Sequence, residues 1–368
     1  MPGTSRLDAA ALLSGPRGRR LCQELAQAQD DDVRLAVFRA AHDLDPGAGT
    51  SRVRYGARRG CRPRRGRRPR PATDDVVRRL GDATFAVPDE RQVLDVLGAA
   101  VDNARYWQEP DGEDVLAALP EVREALAPAA DALLAASAVD WWSTPVPSEA
   151  QREVVWYDEG RLGLPGTTTA ERPDLVAAWR AETVEDERTA ARERPSDPRA
   201  SWGGAWWSVP PHELLRTSRA LGANGPVGLW LVEDGMGWER GSVRPALPDA
   251  GVEVLELDGP DDWADLCRRH PLEVTASRRH DWYRTTGRDG AWVLPDWAAV
   301  AREVDAVHLT VRGYLTTAGL PVPVSDGVAS VLAGWDPDAT CWFAGATADP
   351  GAARDWRYDD AGGAWRAS

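Results

Sequence analysis

The chain has 368 residues, 43% hydrophobic and 28% charged, with a formal net charge of −14. That length allows two domains with buried cores, and the composition excludes a collagen, a wholly disordered chain and a disulfide scaffold. Lys is absent, which removes a Walker A loop, a Schiff-base amine and a Ser–Lys dyad.

Residues 1–145 read as a small helical domain. Leu21, Leu25 and Ala28 fall at helical spacing, and Val33, Ala36, Val37 and Ala40 form a second stripe. Asp89 opens a segment whose apolar face is Val93, Leu94, Leu97, Ala100 and Val101. Leu116, Leu119, Val122, Leu126 and Leu133 continue the pattern, with breaks expected near Pro120 and Pro128. Between these helices, the run from Arg52 to Arg70 holds ten Arg and no acid. Residues 52–71 bury too little apolar area to offset ordering entropy and are expected to form a disordered loop. Clustered guanidinium groups suit a phosphate backbone; drifted GC-rich codons or a shifted reading frame would produce the same run without a function. The acidic remainder repels phosphate, so nucleic acid is expected only through this segment, and other partners stay open.

The material then changes. Residues 151–368 carry 23 Arg and 35 acids, and 17 of the 18 Trp lie from Trp141 onward. Residues 146–368 therefore read as a second, Trp-rich α+β domain. Its expected elements are a strand at 152–157 (REVVWY), a charged helix at 174–192, a strand at 205–209 (AWWSV) and a helical turn at 212–221 (HELLRTSRAL). Strands at 227–232 (VGLWLV) and 252–257 come next. Pro260, Asp261 and Asp262 open a helix, and Pro295 to Trp297 open another that leads into a strand at 306–311. Residues 328–332 and 341–343 are expected as the last strands. The order is neither a βα alternation nor all-β and predicts α+β with a mostly antiparallel sheet.

Several motifs stop short. GMGWERG (235–241) has two glycines of a dinucleotide fingerprint but precedes no expected helix, so it reads as a turn. His212 and Glu213 are followed by Arg216 where a zincin has its second His. Cys22, Cys61, Cys267 and Cys341 form no metal-ligand spacing, so no metal site is expected and the thiols are expected to be buried and inert. With no run of 18 apolar residues and no signal-like amino terminus, no membrane contact is expected and a reducing cytoplasm fits.

Two clusters are candidates for binding. Trp202, Trp206, Trp207, Trp230 and Trp238 lie beside glycines near expected strand ends, where aromatic rings wall a pocket for a flat ligand. The plain alternative is core filling in a chain without Ile and with three Phe. Residues 275–288 gather Arg278, Arg279, His280, Arg284 and Arg288 around Trp282 and Tyr283. They suit an anionic ligand, or a surface loop whose Arg stems cover aromatic faces.

The segments 15–26 (GPRGRRLCQELA), 104–118 (ARYWQEPDGEDVLAA), 271–288 (PLEVTASRRHDWYRTTGR), 305–319 (DAVHLTVRGYLTTAG) and 332–343 (LAGWDPDATCWF) resemble an uncharacterised family from high-GC actinobacteria, a likeness that implies no activity. Residues 56–71 depart from its pattern, which favours the drifted or frame-shifted origin of the Arg run. The order AWWSVPPHELLRTSRAL, GPVGLWLVED, then DWAAVAREVDAVHL before GWDPDATCWF is similar to that of ADP-ribosyltransferase-like folds. That likeness implies NAD as cofactor, with Trp207 and Ser208 standing where such folds carry His or Arg, Trp230 as the aromatic, and Asp336 nearest to the position of the catalytic Glu. Two functions therefore stand side by side. The first is a ligand- or partner-binding protein with no recognisable catalytic set and no cofactor; the second is a diverged nucleotide-using transferase. The candidate ligand contacts are Trp207, Ser208, Trp230, Arg278, Arg279, His280, Trp282 and Arg284.

Overall fold

The computed structural model describes residues 7–47 and 72–368, apart from 148, 159, 160, 164, 165, 167, 169 and 236. The Arg52–Arg70 run and Cys61, with the loop expected there, lie outside the described residues.

Helices fill the first part: α1 (Ala9–Leu12), α2 (Pro16–Gln29), α3 (Asp31–Leu44), α4 (Ala72–Asp82), α5 (Glu90–Asp102), α6 (Gly112–Ala118), α7 (Pro120–Ala125) and α8 (Ala127–Leu134). Their ends obey local chemistry. Asp30 accepts from the free N–H groups of Asp32 and Val33 to start α3, and Asp89 with Gln92 closes a capping box on α5. Pro120 and Pro128 fall in first turns, where a missing N–H costs nothing. The expected stripes are buried, except that Leu119 is only partly so and Ala26 rather than Ala28 turns inward on α2.

Strands dominate the second part, in the order β1 (Gln151–Asp158), β2 (Arg161–Leu162), α9 (Arg172–Glu193), β3 (Leu215–Arg219), β4 (Arg240–Pro248), β5 (Val254–Leu257) and α10 (Pro260–Arg269). Next come β6 (Pro271–Glu273), α11 (Thr275–Thr286), β7 (Ala291–Pro295), α12 (Trp297–Val300), β8 (Ala306–Leu309) and α13 (Val311–Thr317). The chain ends with β9 (Val322–Ser325), β10 (Val328–Ser330), β11 (Thr340–Trp342), β12 (Ala346–Ala348), β13 (Arg354–Asp359) and β14 (Ala364–Ala367). The larger sheet runs β14-β13-β4-β1-β3-β11-β8-β5, with β12 on β4 and β2 on β1; the smaller runs β6-β7-β10-β9. Among the described strands every ladder is antiparallel except β5–β8 and β7–β10. The fold is α+β, mostly antiparallel. No helix among the described residues is long and apolar enough to cross a membrane.

Five local expectations are corrected. HELLRTSRAL supplies the strand β3, not a helical turn, because it is claimed on both edges by β1 and β11. Thr217 there donates to Gln151 Oε1 at 2.5 Å and accepts from Trp342 Nε1 at 2.8 Å. VGLWLV is a 3-10 turn, its polar groups satisfied by Ser218 Oγ, which accepts from Gly228 N, and by Asn224 O, which accepts from Trp230 Nε1. AWWSV joins no sheet. Residues 341–343 are not last: the hairpin β13–β14 comes after them, and the strand expected at 306–311 gives way to α13 where Thr310 caps that helix.

Indole is the main bulky filler. Trp142, Trp263, Trp282, Trp292, Trp297, Trp335 and Trp342 are fully buried, and Trp297 packs on Trp263, Trp335 and Phe343. Buried indole N–H groups donate to Ser330 Oγ, Ser208 O and Ala339 O. Helices give way to strands across the compositional boundary at 145/146, yet one buried cluster runs from Leu7 to Phe343. It takes in α2, α5 and α8 together with α10, β7, β8 and α13, and α13 packs on α1 and α2.

A buried ionic chain also crosses that boundary. His308 pairs through Nδ1 with Glu256, and its Nε2 lies 3.3 Å from Asp338 Oδ1, which accepts from Arg219 Nε at 2.5 Å. Arg219 reaches on to Thr144 Oγ1 at 2.7 Å and lies 4.8 Å over the Trp141 ring. Burial disfavours the imidazolium, but the hydrogen bonds to Asp338 and Glu256 outweigh it and push the His308 pKa from 6.5 up to about 9. A raised base stabilises the fold below its unfolded pKa and loses that contribution as pH rises through the folded one. Stability should therefore fall between pH 6.5 and 9, by on the order of 2–3 kcal/mol. His308→Gln should be less stable at the acid end and lack the slope; urea denaturation at a series of pH values measures both.

Candidate functional site

Two adjoining chambers open against the larger sheet, the second of them also lined by α5. They share Trp156, Val232 and Trp238. The rings of Trp156 and Trp238 stack at 5.3 Å with planes 20° apart. The strip of chain from Leu229 to Arg240 passes between the chambers and contributes to both.

The first chamber, about 480 Å³, is walled by Trp156, Trp206, Trp207 and Trp238 and lined by Arg152 and Arg216. Trp207 meets Trp206 and His212 edge-on. Gly334 lies directly below, with φ of +80°; a Cβ there would come within 2.9 Å of the Trp207 Cβ, so only glycine fits. Arg216 donates from Nη2 to Pro210 O at 2.9 Å, while its buried Nε has no hydrogen-bond partner. Arg152 donates to Gln151 O at 2.8 Å. Among the described residues neither guanidinium has a carboxylate within ion-pair distance.

His212, Glu233, Asp234 and Asp336 also line the chamber. Burial, then the Arg216 charge, lowers His212 to about 4, so its ring is neutral at neutral pH. Asp234 is occupied by Arg105 Nε at 3.2 Å and Trp107 Nε1 at 2.8 Å. Burial raises the Asp336 carboxyl, which accepts from Glu233 N at 2.7 Å. Burial, then the Asp336 charge, raises Glu233 well above the ordinary carboxylate range, and its Oε2 accepts from Gly334 N.

Comparison with protein-family models, curated proteins and solved structures returns no match. The site is therefore read from its residues alone.

The structure divides the sequence candidates. Trp207 stands in the first chamber with Trp206; Trp230 stands in the second with Arg91 4.5 Å over its ring; Trp238 serves both. Trp202 is half-exposed and lines neither. Ser208 is buried, its Oγ accepting from Ala333 N at 3.1 Å, and it holds backbone together.

The Arg-rich stretch from 275 to 288 is a helix, not a surface loop, ended by Gly287 in the left-handed region. It lines neither chamber. Arg278 lies 3.3 Å from Asp186 of α9, and Arg279 donates to Pro195 O. Arg284 donates to Trp107 O at 3.1 Å and Trp202 O at 2.6 Å and pairs with Asp281. Trp282 is buried and donates to Trp206 O at 2.7 Å. His280 is buried, and desolvation followed by the charges of Arg279, Arg194 and Arg284 lowers its pKa. These guanidinium groups are used within the protein, where they rivet α11 to α9 and to the 202–207 segment.

Sequence reading missed Arg152, Arg216, Glu233 and the hairpin residues Tyr358 and Trp365. The hairpin carried a signal: alternating Trp356 and Tyr358, a Gly362-Gly363 turn, then Trp365. The two arginines carried none, because nothing local separates a paired guanidinium from an unpaired one. Among the described residues no group of His, Cys, Asp and Glu is placed to hold a metal ion.

Glu233 is the brace of the first chamber. Glu233→Gln, neutral and of the same shape, should fold with little loss, since the amide oxygen still accepts from Gly334 N. Glu233→Ala should cost about 2–4 kcal/mol, because it leaves that buried N–H without a partner and opens a cavity. Urea denaturation at neutral pH separates the two; equal losses would remove the bracing role.

Proposed function

We propose that the protein binds a small ligand that carries an anionic group on a flat or apolar body, and that the Arg152–Arg216 chamber receives it. The observation that carries this reading is the unpaired state of those two guanidinium groups beside four indoles. Guanidinium is suited to carboxylate and phosphate, and indole faces to a flat ring. A cavity of about 480 Å³ suits a small molecule rather than a polymer. This is binding chemistry: the neutral His212 and the carboxyls of Glu233 and Asp336 are engaged in holding the walls.

A nucleotide-using transferase would have to place its anionic cofactor against the same arginines, so NAD belongs among the probes. We also place the protein in the cytoplasm. Its described cysteines, Cys22, Cys267 and Cys341, are free and buried, with the Cys267 thiol pushed up to about 12 and the Cys341 thiol to about 11 by burial. Unreactive free thiols agree with a reducing compartment.

Tryptophan fluorescence should change saturably during titration with benzoate, phenyl phosphate or NAD at low salt. Arg216→Met should weaken the responding probe about tenfold or more, the loss expected for one charge-assisted contact, and added salt should weaken it in the wild type. Identical titration curves for wild type and Arg216→Met would overturn the reading.

A further inference from the structure

The second chamber, about 410 Å³, is the chemical opposite of the first. One wall is an arc of rings in sequential contact. Trp238 stacks on Trp156 at 5.3 Å, Trp156 meets Trp365 at 5.5 Å, Trp365 meets Tyr358 at 5.5 Å, and Tyr358 meets Trp230 at 6.5 Å. The facing wall is α5, which presents Leu94, Asp95, Gly98, Ala99 and Asp102. Glu239 and Asp360 stand at the rim, and among the described residues no Arg or His lines the chamber. Asp95 is paired with Arg91 at 2.8 Å. Asp102, Glu239 and Asp360 have no ion-pair partner among the described residues.

We infer that this second chamber is a subsite for an alkylated ammonium group. Two independent features point the same way. Ring faces carry negative electrostatic potential and attract organic cations, most strongly when the cation is poorly hydrated. The protein already uses this attraction at the same wall, where the Arg91 guanidinium lies 4.5 Å over the Trp230 ring. The three unpaired carboxylates add a long-range field of the matching sign and repel anions. A neutral sugar would also stack on indole, but it gains nothing from three uncompensated negative charges. A methylated ammonium gains from both walls.

The inference rests on the proposed anion site only in treating the cleft as open to ligands; its contacts are its own. Because the chambers share Trp156, Val232 and Trp238, a single ligand reaching both would carry an anionic group and an ammonium group at its two ends.

The test compares choline with its uncharged isostere 3,3-dimethylbutan-1-ol, monitored by tryptophan fluorescence and calorimetry on the full chain. Choline should bind saturably, at least about tenfold tighter than the alcohol, and more weakly as salt rises. The double variant Asp102→Asn/Asp360→Asn should weaken choline about tenfold while leaving the alcohol unchanged; both acids are exposed, and a thermal melt confirms folding. Glu239→Gln provides a second variant with the same expected direction.

Equal affinity for choline and the alcohol, binding of glucose in place of choline, or unaltered choline binding in the double variant would each overturn the subsite. Choline binding without any response to benzoate, phenyl phosphate or NAD keeps this inference and removes the anion reading. The reverse pattern removes this one.

Discussion

A buried carboxyl group, that of Glu233, sets the geometry of the cleft. Glu233 receives Gly334 N on its side chain and gives its own N–H to Asp336, which fastens the strip between Leu229 and Arg240 to the turn before β11. The next residue, Asp234, fastens the same strip to the helical part through Arg105 and Trp107, with its backbone at φ of +50°. Both chambers hang on that strip. The cost of burying Glu233 is met partly by keeping the carboxyl protonated well above the usual range, so the brace behaves as a polar group and not as an isolated charge.

The cleft inherits a division of charge from how each element is anchored. On the sheet side, β1 and β3 bring Arg152 and Arg216 to the first chamber, while the acids nearby are tied to backbone N–H groups or to Arg105. On the helix side, α5 faces its exposed acids toward the second chamber and spends its one neighbouring cation, Arg91, on Asp95 and the Trp230 face. The stacked Trp156–Trp238 pair forms part of both chambers.

Tryptophan does two kinds of work in this chain, and burial tells them apart. Trp263, Trp297 and Trp335 fill the shared core in edge-on and tilted contacts, with Trp297 reaching the Ser208 carbonyl. Trp156, Trp207, Trp230 and Trp238 keep part of their surface open and face cavities. The continuous cluster from Leu7 to Phe343 explains why the rings of the second kind hold their positions: α2 and α13 lock the helical part to the sheets behind them.

Helices α2, α3 and α5 to α8 were legible from the sequence, as were the α+β class and the strand at 152–157, whereas α1 and α4 were not read. Apolar period, capping residues such as Asp89 and proline placement act over a few residues, and each is written locally. The same locality misassigned HELLRTSRAL, whose strand form comes from β1 and β11 on either side. It also left the fate of every guanidinium open. Arg278 is tied to Asp186, 92 positions away, whereas Arg216 has no carboxylate within ion-pair distance among the described residues. Only the tertiary structure decides which charges meet, because pairing and burial depend on neighbours brought from distant segments. The same distant neighbours decide which charges in the cleft are left without an ion pair.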